Sequence, residues 1–223
     1  MPVYYPYFFS NKNIPTDSVN FPLVQNTSVE SATACVCVGF ADETGALQYI
    51  GQDYLDKNDL HFANVLNEAT EFLDDRDDVE WENIVYNWEG EDISILRKKG
   101  DFLTASEILN PVMLKELQEF FQCNLMAVAI PNQTTIYVAE SPSALASLVH
   151  REYNDAENHD DIAVSNMIYL SHNGEVIASA EVDASEYEIT ETKSESKDHS
   201  KGAKKNAAKR KKKKFTLDKS RLK

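Results

Sequence analysis

Residues 104–139 read TASEILNPVMLKELQEFFQCNLMAVAIPNQTTIYVA, and the pattern of this stretch decides the fold. Asn110 offers a side chain that can cap a helix. Pro111 suits the first helical position, because proline lacks an N–H that would find no acceptor there. Large apolar residues then recur at helical spacing. The stretch predicts a helix from residue 111 whose buried face holds Val112, Met113, Leu117, Phe120 and Phe121.

Two strands are predicted after this helix. Residues 125–130 form a short, almost continuous apolar run, which is typical of a strand covered on both faces. Residues 131–133, Pro-Asn-Gln, have turn chemistry, and residues 134–139 return to β-branched and aromatic side chains. The centre of the chain is therefore expected to be a helix followed by a strand–loop–strand unit.

The rest of the chain mixes strand and helix patterns. Turn residues at 42–45 separate predicted strands at 33–40 and 47–50, and Asn173-Gly174 indicates a two-residue hairpin. Amphipathic helices are predicted at residues 58–73, capped by Asn58 or Asp59, and at 141–153. Further strands are predicted at 81–88, 92–96, 167–170 and 175–180. Because tight turns join several strand pairs, we predict an α+β fold with a mixed, largely antiparallel sheet and about three helices packed on it.

Composition divides the chain into three parts. Residues 1–30 are rich in proline and aromatic residues, which predicts an extended arm. Its rings either pack onto the domain or bind a partner; they are Tyr4, Tyr5, Tyr7, Phe8 and Phe9. Residues 31–185 are expected to form a single globular α+β domain. From residue 186 onward the apolar content collapses, so residues 186–223 are predicted to be a disordered Lys-rich tail.

The net charge of −15 conceals two opposite populations. Residues 193–223 hold 14 Lys and Arg against three Asp and Glu, a net charge of +11. The other 192 residues hold eight basic and 34 acidic residues, a net charge of −26. The tail is expected to attract nucleic acid, and the body to repel it.

The sequence predicts a cytoplasmic protein. Three cysteines, an odd number, argue against a disulfide framework and for a reducing compartment. The N-terminus lacks the basic and apolar regions of a signal peptide, and no apolar run is long enough to span a membrane.

Two sets of residues are candidates for binding. The loop residues Asn132, Gln133 and Thr134 carry amide and hydroxyl groups that suit recognition of a peptide or a base edge, although local turn contacts are the plainer interpretation. The tail offers a cluster of cations for phosphate groups: Lys204, Lys205, Lys209, Arg210, Lys211, Lys212, Lys213 and Lys214. A solubilising tail, or one that folds back onto the acidic body, explains the same cations.

The motifs of common enzymes and metal sites are missing from the sequence. Cys35 and Cys37 lie too far from further ligands to form a zinc site, so buried small residues are expected. The acidic run at 74–80 lacks the glycine and glutamate spacing of an EF-hand. A hydrolase would need His150 or His159 brought beside a carboxylate. We expect no cofactor and no resident metal.

A resemblance to a family of uncharacterised bacterial proteins spans residues 101–180. The family pattern ASRILN…AVAVPHQD…YENGE is similar to three segments of this chain in order and spacing: residues 105–110 (ASEILN), 127–134 (AVAIPNQT) and 168–176 (IYLSHNGEV). The family's loop often ends in Asp where this chain has Thr134. The resemblance implies a shared fold and leaves residues 1–80 unaccounted for.

These observations together predict a non-enzymatic protein-binding or adaptor domain with an electrostatic tail. The acidic body also suits an immunity-type inhibitor of a basic toxin. The alternative is a protein that binds nucleic acid or the ribosome through residues 193–223.

Overall fold

The computed structural model of the chain describes residues 2–24, 33–76, 80–88, 91–158 and 162–180. Within these ranges antiparallel sheets pack against helices, so the predicted α+β class is confirmed. The tail predicted to be disordered, residues 186–223, lies outside the described residues.

Ten strands and four α-helices make up the described part of the chain. The strands are β1 (Tyr4–Ser10), β2 (Asn20–Pro22), β3 (Ala34–Ala41), β4 (Leu47–Tyr49), β5 (Glu82–Trp88), β6 (Glu91–Lys99), β7 (Met126–Asn132), β8 (Thr135–Ala139), β9 (Ile168–His172) and β10 (Glu175–Ala180). The α-helices are α1 (Gln52–Asn58), α2 (Phe62–Glu71), α3 (Pro111–Phe121) and α4 (Pro142–Asn158). Two 3₁₀ helices lie at Phe72–Asp75 and Thr104–Leu109.

The strands form two sheets rather than one. In the first sheet β3 pairs with β1 on one side and with β2 and β4 on the other. The second sheet has the order β10-β9-β7-β8-β6-β5. Strand patterns predict each strand but not its partners, which is why the sequence suggested a single sheet.

The central strands β7 and β8 are buried along their whole length, as the apolar run predicted. On one face of the second sheet α4 covers β7, β8 and β9. On the other face the main core brings together Val128 and Val138 of this sheet, Phe8 of the first sheet, and Leu114 and Leu117 of α3. Both faces of β7 are therefore covered by other parts of the fold, and a strand buried on both faces favours a continuous run of apolar residues.

The predicted start of α3 is confirmed. The Asn110 side chain accepts hydrogen bonds from the N–H groups of Val112 at 3.0 Å and Met113 at 2.9 Å, and Pro111 occupies the first helical turn. Val112 was predicted to be buried, but it is 53% exposed. Its position in the first turn points it away from the sheet.

The helix predicted at residues 58–73 is wrong in its start and in its cap. The chain forms α1 first, and Asp59 ends that helix in the left-handed conformation, with φ 53°. Aspartate tolerates this conformation better than most residues, because its short side chain can bond locally. A new helix, α2, then begins after His61, whose side chain makes no cap.

The described part of the predicted arm at residues 1–30 is folded. It forms β1 and β2, both paired with β3, so most of the aromatic side chains pack onto the body. Pro6 is compatible with a strand because β1 lies at the edge of its sheet. At the other end of the fold, the predicted hairpin is confirmed, with positive φ at both Asn173 and Gly174.

Candidate functional site

The 3₁₀ helix Thr104–Leu109 joins the two sheets. Ser106 donates its hydroxyl to the Pro6 carbonyl at 2.6 Å, which ties the helix to β1. The Ala105 N–H donates to the Gln133 carbonyl at 3.0 Å, which ties it to the turn between β7 and β8. Gln133 completes the link by donating its side-chain amide to the Phe8 carbonyl at 2.8 Å. This seam fixes how the loop before the helix, residues 100–103, lies against β1.

A network of four charged side chains lies beside the seam. Lys98 and Glu107 form an ion pair of 2.6 Å, and each side chain is only 4% exposed. Arg76, whose side chain is 7% exposed, forms an ion pair of 2.9 Å with Asp101 and lies 3.9 Å from Glu107. Two cations thus face two carboxylates, so the network carries little net charge. It holds Asp101 and the loop that follows in one position.

This loop forms one wall of a groove of about 710 Å³. The opposite walls come from β1, from the β3–β4 turn and from the 3₁₀ helix after α2. The lining is mostly aromatic and aliphatic: Tyr5, Tyr7, Ala41, Gly45, Leu47, Phe72, Arg76, Asp101, Phe102 and Leu103. Four segments that are distant in sequence therefore build one apolar concavity.

The aromatic rings of the groove are ordered by contacts with one another. Phe102 stacks on Tyr7 with the ring centroids 5.7 Å apart and the planes 12° apart. Phe72 meets Tyr5 edge to face at 4.9 Å. Leu47, Phe72 and Phe102 nevertheless remain 40%, 39% and 51% exposed. Exposed apolar side chains gathered in one concavity are typical of a binding surface.

Burial keeps the Tyr7 phenol of the groove in its neutral form. Burial, with smaller effects from Tyr49, Tyr5 and Asp101, raises the pKa of Tyr7 to about 12. The phenol therefore stays protonated near neutral pH, which disfavours its use as a nucleophile or base there. Of the described residues that line the groove, Arg76 is the one cation, and its guanidinium is held by Asp101.

Several acidic residues lie next to the groove-lining residues in sequence. Asp42 and Glu43 lie in the turn between Ala41 and Gly45. Hydrogen bonds from the Thr44 hydroxyl, and then from backbone N–H groups, lower the pKa of Asp42 and keep its carboxylate ionised. Exposed Glu71 and Asp74 lie on either side of Phe72 in sequence. Among the residues that line the groove, Asp101 supplies the carboxylate, and its side chain is 46% exposed.

The predicted loop site takes part in the seam instead of facing solvent. Asn132 and Gln133 are 4% and 6% exposed. The Asn132 side chain accepts hydrogen bonds from the N–H and the hydroxyl of Thr134, each at 3.0 Å. Strand β7 runs through Pro131 and Asn132, so the turn is the shorter Gln133–Thr134 pair. The Asn132 and Thr134 side chains bond within the turn, whereas the Gln133 side chain bonds the Phe8 carbonyl of β1.

The other predicted binding residues lie outside the described residues. They are Lys204, Lys205, Lys209, Arg210, Lys211, Lys212, Lys213 and Lys214. His159, one of the two histidines considered for hydrolysis, lies outside as well, and the other, His150, is exposed on α4.

A second, polar concavity of about 610 Å³ brings Cys123 and His172 into one lining. It does not form a catalytic dyad. One ring nitrogen of His172 lies 2.6 Å from the Asn124 carbonyl and the other 3.0 Å from the Asn173 amide, so both are engaged. Burial raises the pKa of the Cys123 thiol, which disfavours the reactive thiolate.

The part of the chain that the structure describes holds neither a cluster of metal ligands nor a membrane-spanning helix. In these ranges, groups of three or more His, Cys, Asp or Glu that could hold a metal ion are absent. Cys35 and Cys37 are fully buried in β3, and burial raises the pKa of both thiols. The helices of the described ranges are too short or too polar to cross a bilayer.

Comparison with known proteins adds no further constraint: no family model, curated protein or solved structure matches this chain. The resemblance over residues 101–180 therefore stays a prediction. Functional inference must rest on the groove.

Sequence analysis missed the groove residues Leu47, Phe72, Arg76 and Phe102. One signal for them was present. Phe102 is a large ring that directly follows the polar run Lys98-Lys99-Gly100-Asp101, shortly before the 3₁₀ helix. A ring in such a loop needs either a core or a ligand to cover it.

Proposed function

We propose that the folded part of this chain is a non-enzymatic protein-binding domain. Its groove accepts a partner segment that carries an aromatic or long aliphatic side chain next to Lys or Arg. The observation that carries the proposal is the cluster of exposed apolar side chains, Leu47, Phe72 and Phe102, in a concavity that also holds the partly exposed carboxylate of Asp101.

The apolar lining supports insertion of a ring or a branched aliphatic group. Phe102 already stacks on Tyr7, so its outer face offers a flat surface for a second ring. Burying a Phe or Leu side chain contributes about 1.5–3 kcal/mol.

The charge distribution supports a basic partner. Residues 1–192 carry a net charge of −26, and Asp101 at the groove keeps 46% of its side chain exposed while it binds Arg76. A Lys or Arg beside the inserted side chain would approach this carboxylate from solvent. Complementary charge also raises the rate of association and makes it dependent on salt. A basic toxin neutralised by an immunity-type inhibitor is one partner of this kind.

Binding is tested with the full chain and three synthetic peptides, by fluorescence anisotropy. The first peptide places Phe-Thr-Leu between pairs of lysines. The second replaces Phe and Leu with Ser, and the third replaces the lysines with Glu. We expect the first peptide to bind at least tenfold more tightly than either of the others.

Matched variants locate the binding to the groove. Phe102→Ser removes the exposed ring of the groove, whereas Val85→Ser removes a side chain of similar exposure, 58%, from β5 of the other sheet. The first variant should lose the tight peptide and the second should retain it. Equal affinity for all three peptides, or equal losses in the two variants, contradicts the proposal.

Nucleic-acid binding through the tail is the second candidate, favoured by the composition of residues 204–214 (KKNAAKRKKKK). Replacing the four lysines at 211–214 with Gln in the full chain tests it. Affinity for single-stranded RNA should fall, and its dependence on salt should weaken. If the variant binds RNA as the parent does, the tail is not a nucleic-acid site.

A further inference from the structure

The charged tail of this chain carries the chemistry that the groove is suited to bind. Residues 211–219 read KKKKFTLDK. Phe215 and Leu217 are its only large apolar residues after Ile189, apart from Leu222 near the end. In an extended segment, residues i and i+2 project from the same side. Phe215 and Leu217 would therefore face one surface together, directly after four lysines.

We propose that, when no partner is bound, the segment 215–217 of the same chain occupies the aromatic groove. The proposal rests on the proposed function of the groove and names its first occupant. A protein partner then binds by displacing the tail.

The length of chain between the groove and the segment permits this contact. Thirty-four residues separate the end of β10 at Ala180 from Phe215. A flexible linker of that length has a root-mean-square span of about 30–35 Å. A folded body of about 180 residues has a radius of gyration of about 16 Å. The segment can thus reach any face of the body.

Opposite net charges favour binding of the tail to the body. Residues 193–223 carry +11 and residues 1–192 carry −26. At the groove itself, Asp101 offers a partly exposed carboxylate to the lysines that precede Phe215, and the exposed Glu43, Glu71 and Asp74 lie within two residues of lining residues in sequence. Charge alone would leave the tail anywhere on the acidic surface. The two apolar side chains select the groove.

Because the segment 215–217 is tethered to the body, even weak binding to the groove is enough to keep the groove occupied. A flexible tether holds the segment at an effective concentration on the order of 1 mM. If the untethered segment binds with a Kd of about 0.1 mM, the groove is filled about nine-tenths of the time. The apparent affinity of a competing peptide then falls by about tenfold, because only empty grooves can bind it.

A spin label shows where the segment lies. In the full chain, Thr216→Cys is combined with Cys123→Ser, since Cys35 and Cys37 are fully buried and Cys123 is only partly so. The nitroxide should broaden the amide signals of Leu47, Phe72 and Phe102 and leave those of the Asn173–Gly174 hairpin sharp. A label at Ser200→Cys, on the tail but ahead of the lysine run, is the matched control and should broaden the groove signals less. Equal broadening of groove and hairpin contradicts the proposal.

A mixed sample distinguishes contact within one chain from contact between two. Labelled protein without ¹⁵N is added to ¹⁵N protein without label. Broadening of the groove signals in that mixture, at the level of the single sample, assigns the occupant to a second copy and overturns the proposal as stated. Sharp groove signals support occupation within one chain.

Peptide competition separates failure of this inference from failure of the proposed function. The Lys-flanked Phe-Thr-Leu peptide is titrated into the full chain and into the full chain carrying Phe215→Ser and Leu217→Ser. About tenfold tighter binding to the variant supports occupation by the tail. Equal binding to both proteins overturns it and leaves the groove as a peptide site. If the peptide binds neither protein, the proposed function itself fails.

Discussion

Phe102 and Glu107 lie five residues apart, and each occupies the environment that hydropathy would assign to the other. The ring is 51% exposed and the carboxylate-bearing residue is 3% exposed. Glu107 is buried because Lys98 and Arg76 meet it inside the fold. Phe102 is exposed although a core lies one residue away at Leu103.

A buried charged residue and an exposed aromatic residue have different implications for function. A buried ion pair needs no outside partner, because its two members satisfy each other, and it is weak evidence for stability or function. An exposed ring in a concavity leaves about half of its apolar surface in contact with water after folding. Its apolar surface is available for association, so the exposed residue is the better indication of a binding surface.

The largest expected effect comes from breaking the buried pair. Glu107→Gln leaves the Lys98 ammonium buried without its carboxylate, and we expect the free energy of unfolding in urea to fall by about 3–5 kcal/mol. The matched control is Glu82→Gln, which breaks the exposed pair with Arg97, also 2.6 Å long. That change should cost less than about 1 kcal/mol. Similar losses in the two variants contradict the distinction between the pairs.

The next effect concerns the seam that holds β1. Gln133→Leu removes the donor to the buried Phe8 carbonyl, so the free energy of unfolding should fall by about 1–3 kcal/mol. Gln52→Leu, at an exposed helix start, should change it little. If Gln133→Leu leaves stability unchanged but abolishes peptide binding, the loop is a recognition site, as its amides suggested.

Alkaline pH distinguishes buried groups from exposed ones. Burial raises the pKa of Cys37 from 9.0 to about 11, so the folded state favours the neutral thiol. The stabilisation is fully present below pH 9 and is lost as pH rises through 11, since only the unfolded chain releases the proton readily. We expect a loss of about 1–3 kcal/mol over that range.

Cys37→Ala should flatten the decline between pH 9 and 11 when urea denaturation is repeated across pH. The steeper loss above pH 10 should remain, because burial also raises the pKa of Tyr7, Tyr137 and Tyr169 to about 12. If the free energy of unfolding of Cys37→Ala declines as steeply between pH 9 and 11 as that of the parent, titration of this thiol does not cause the decline.

The smallest effect on stability is expected where the effect on binding is largest. Phe102→Ser should change the free energy of unfolding by less than about 1 kcal/mol, since the ring is half exposed. The same variant should weaken binding of the Lys-flanked peptide at least tenfold. A large loss of stability would place Phe102 in the core and remove the contrast with Glu107.

Local chemistry explains which parts of the fold could be predicted from sequence. Asn110-Pro111 sets a helix start through contacts within three residues, and Asn173-Gly174 sets a hairpin through its own φ angles. The apolar run of β7 reports its burial directly. Each of these features depends on interactions or properties of only a few neighbouring residues, so it can be recognised in the sequence.

The groove could not be predicted in the same way. Tyr7, Leu47, Phe72 and Phe102 become neighbours only after β1 pairs with β3 and the 3₁₀ helix ties the sheets together. Glu107 shows the same limit, because its sequence neighbours do not reveal the ammonium nine residues earlier. Hydropathy describes a residue, whereas these roles depend on pairings across the chain.

The outer edge of β1 has a consequence for synthesis on the ribosome. The Pro6 and Phe8 carbonyls are satisfied by side chains that follow them by 100 and 125 residues, from Ser106 and Gln133. A nascent chain therefore exposes a strand of five closely spaced rings and one proline until the segments that hold Ser106 and Gln133 have emerged. Such long-range closure is slow and leaves the intermediate prone to aggregation. We expect newly made chains to depend on chaperones that shield aromatic segments until residue 133 has left the exit tunnel.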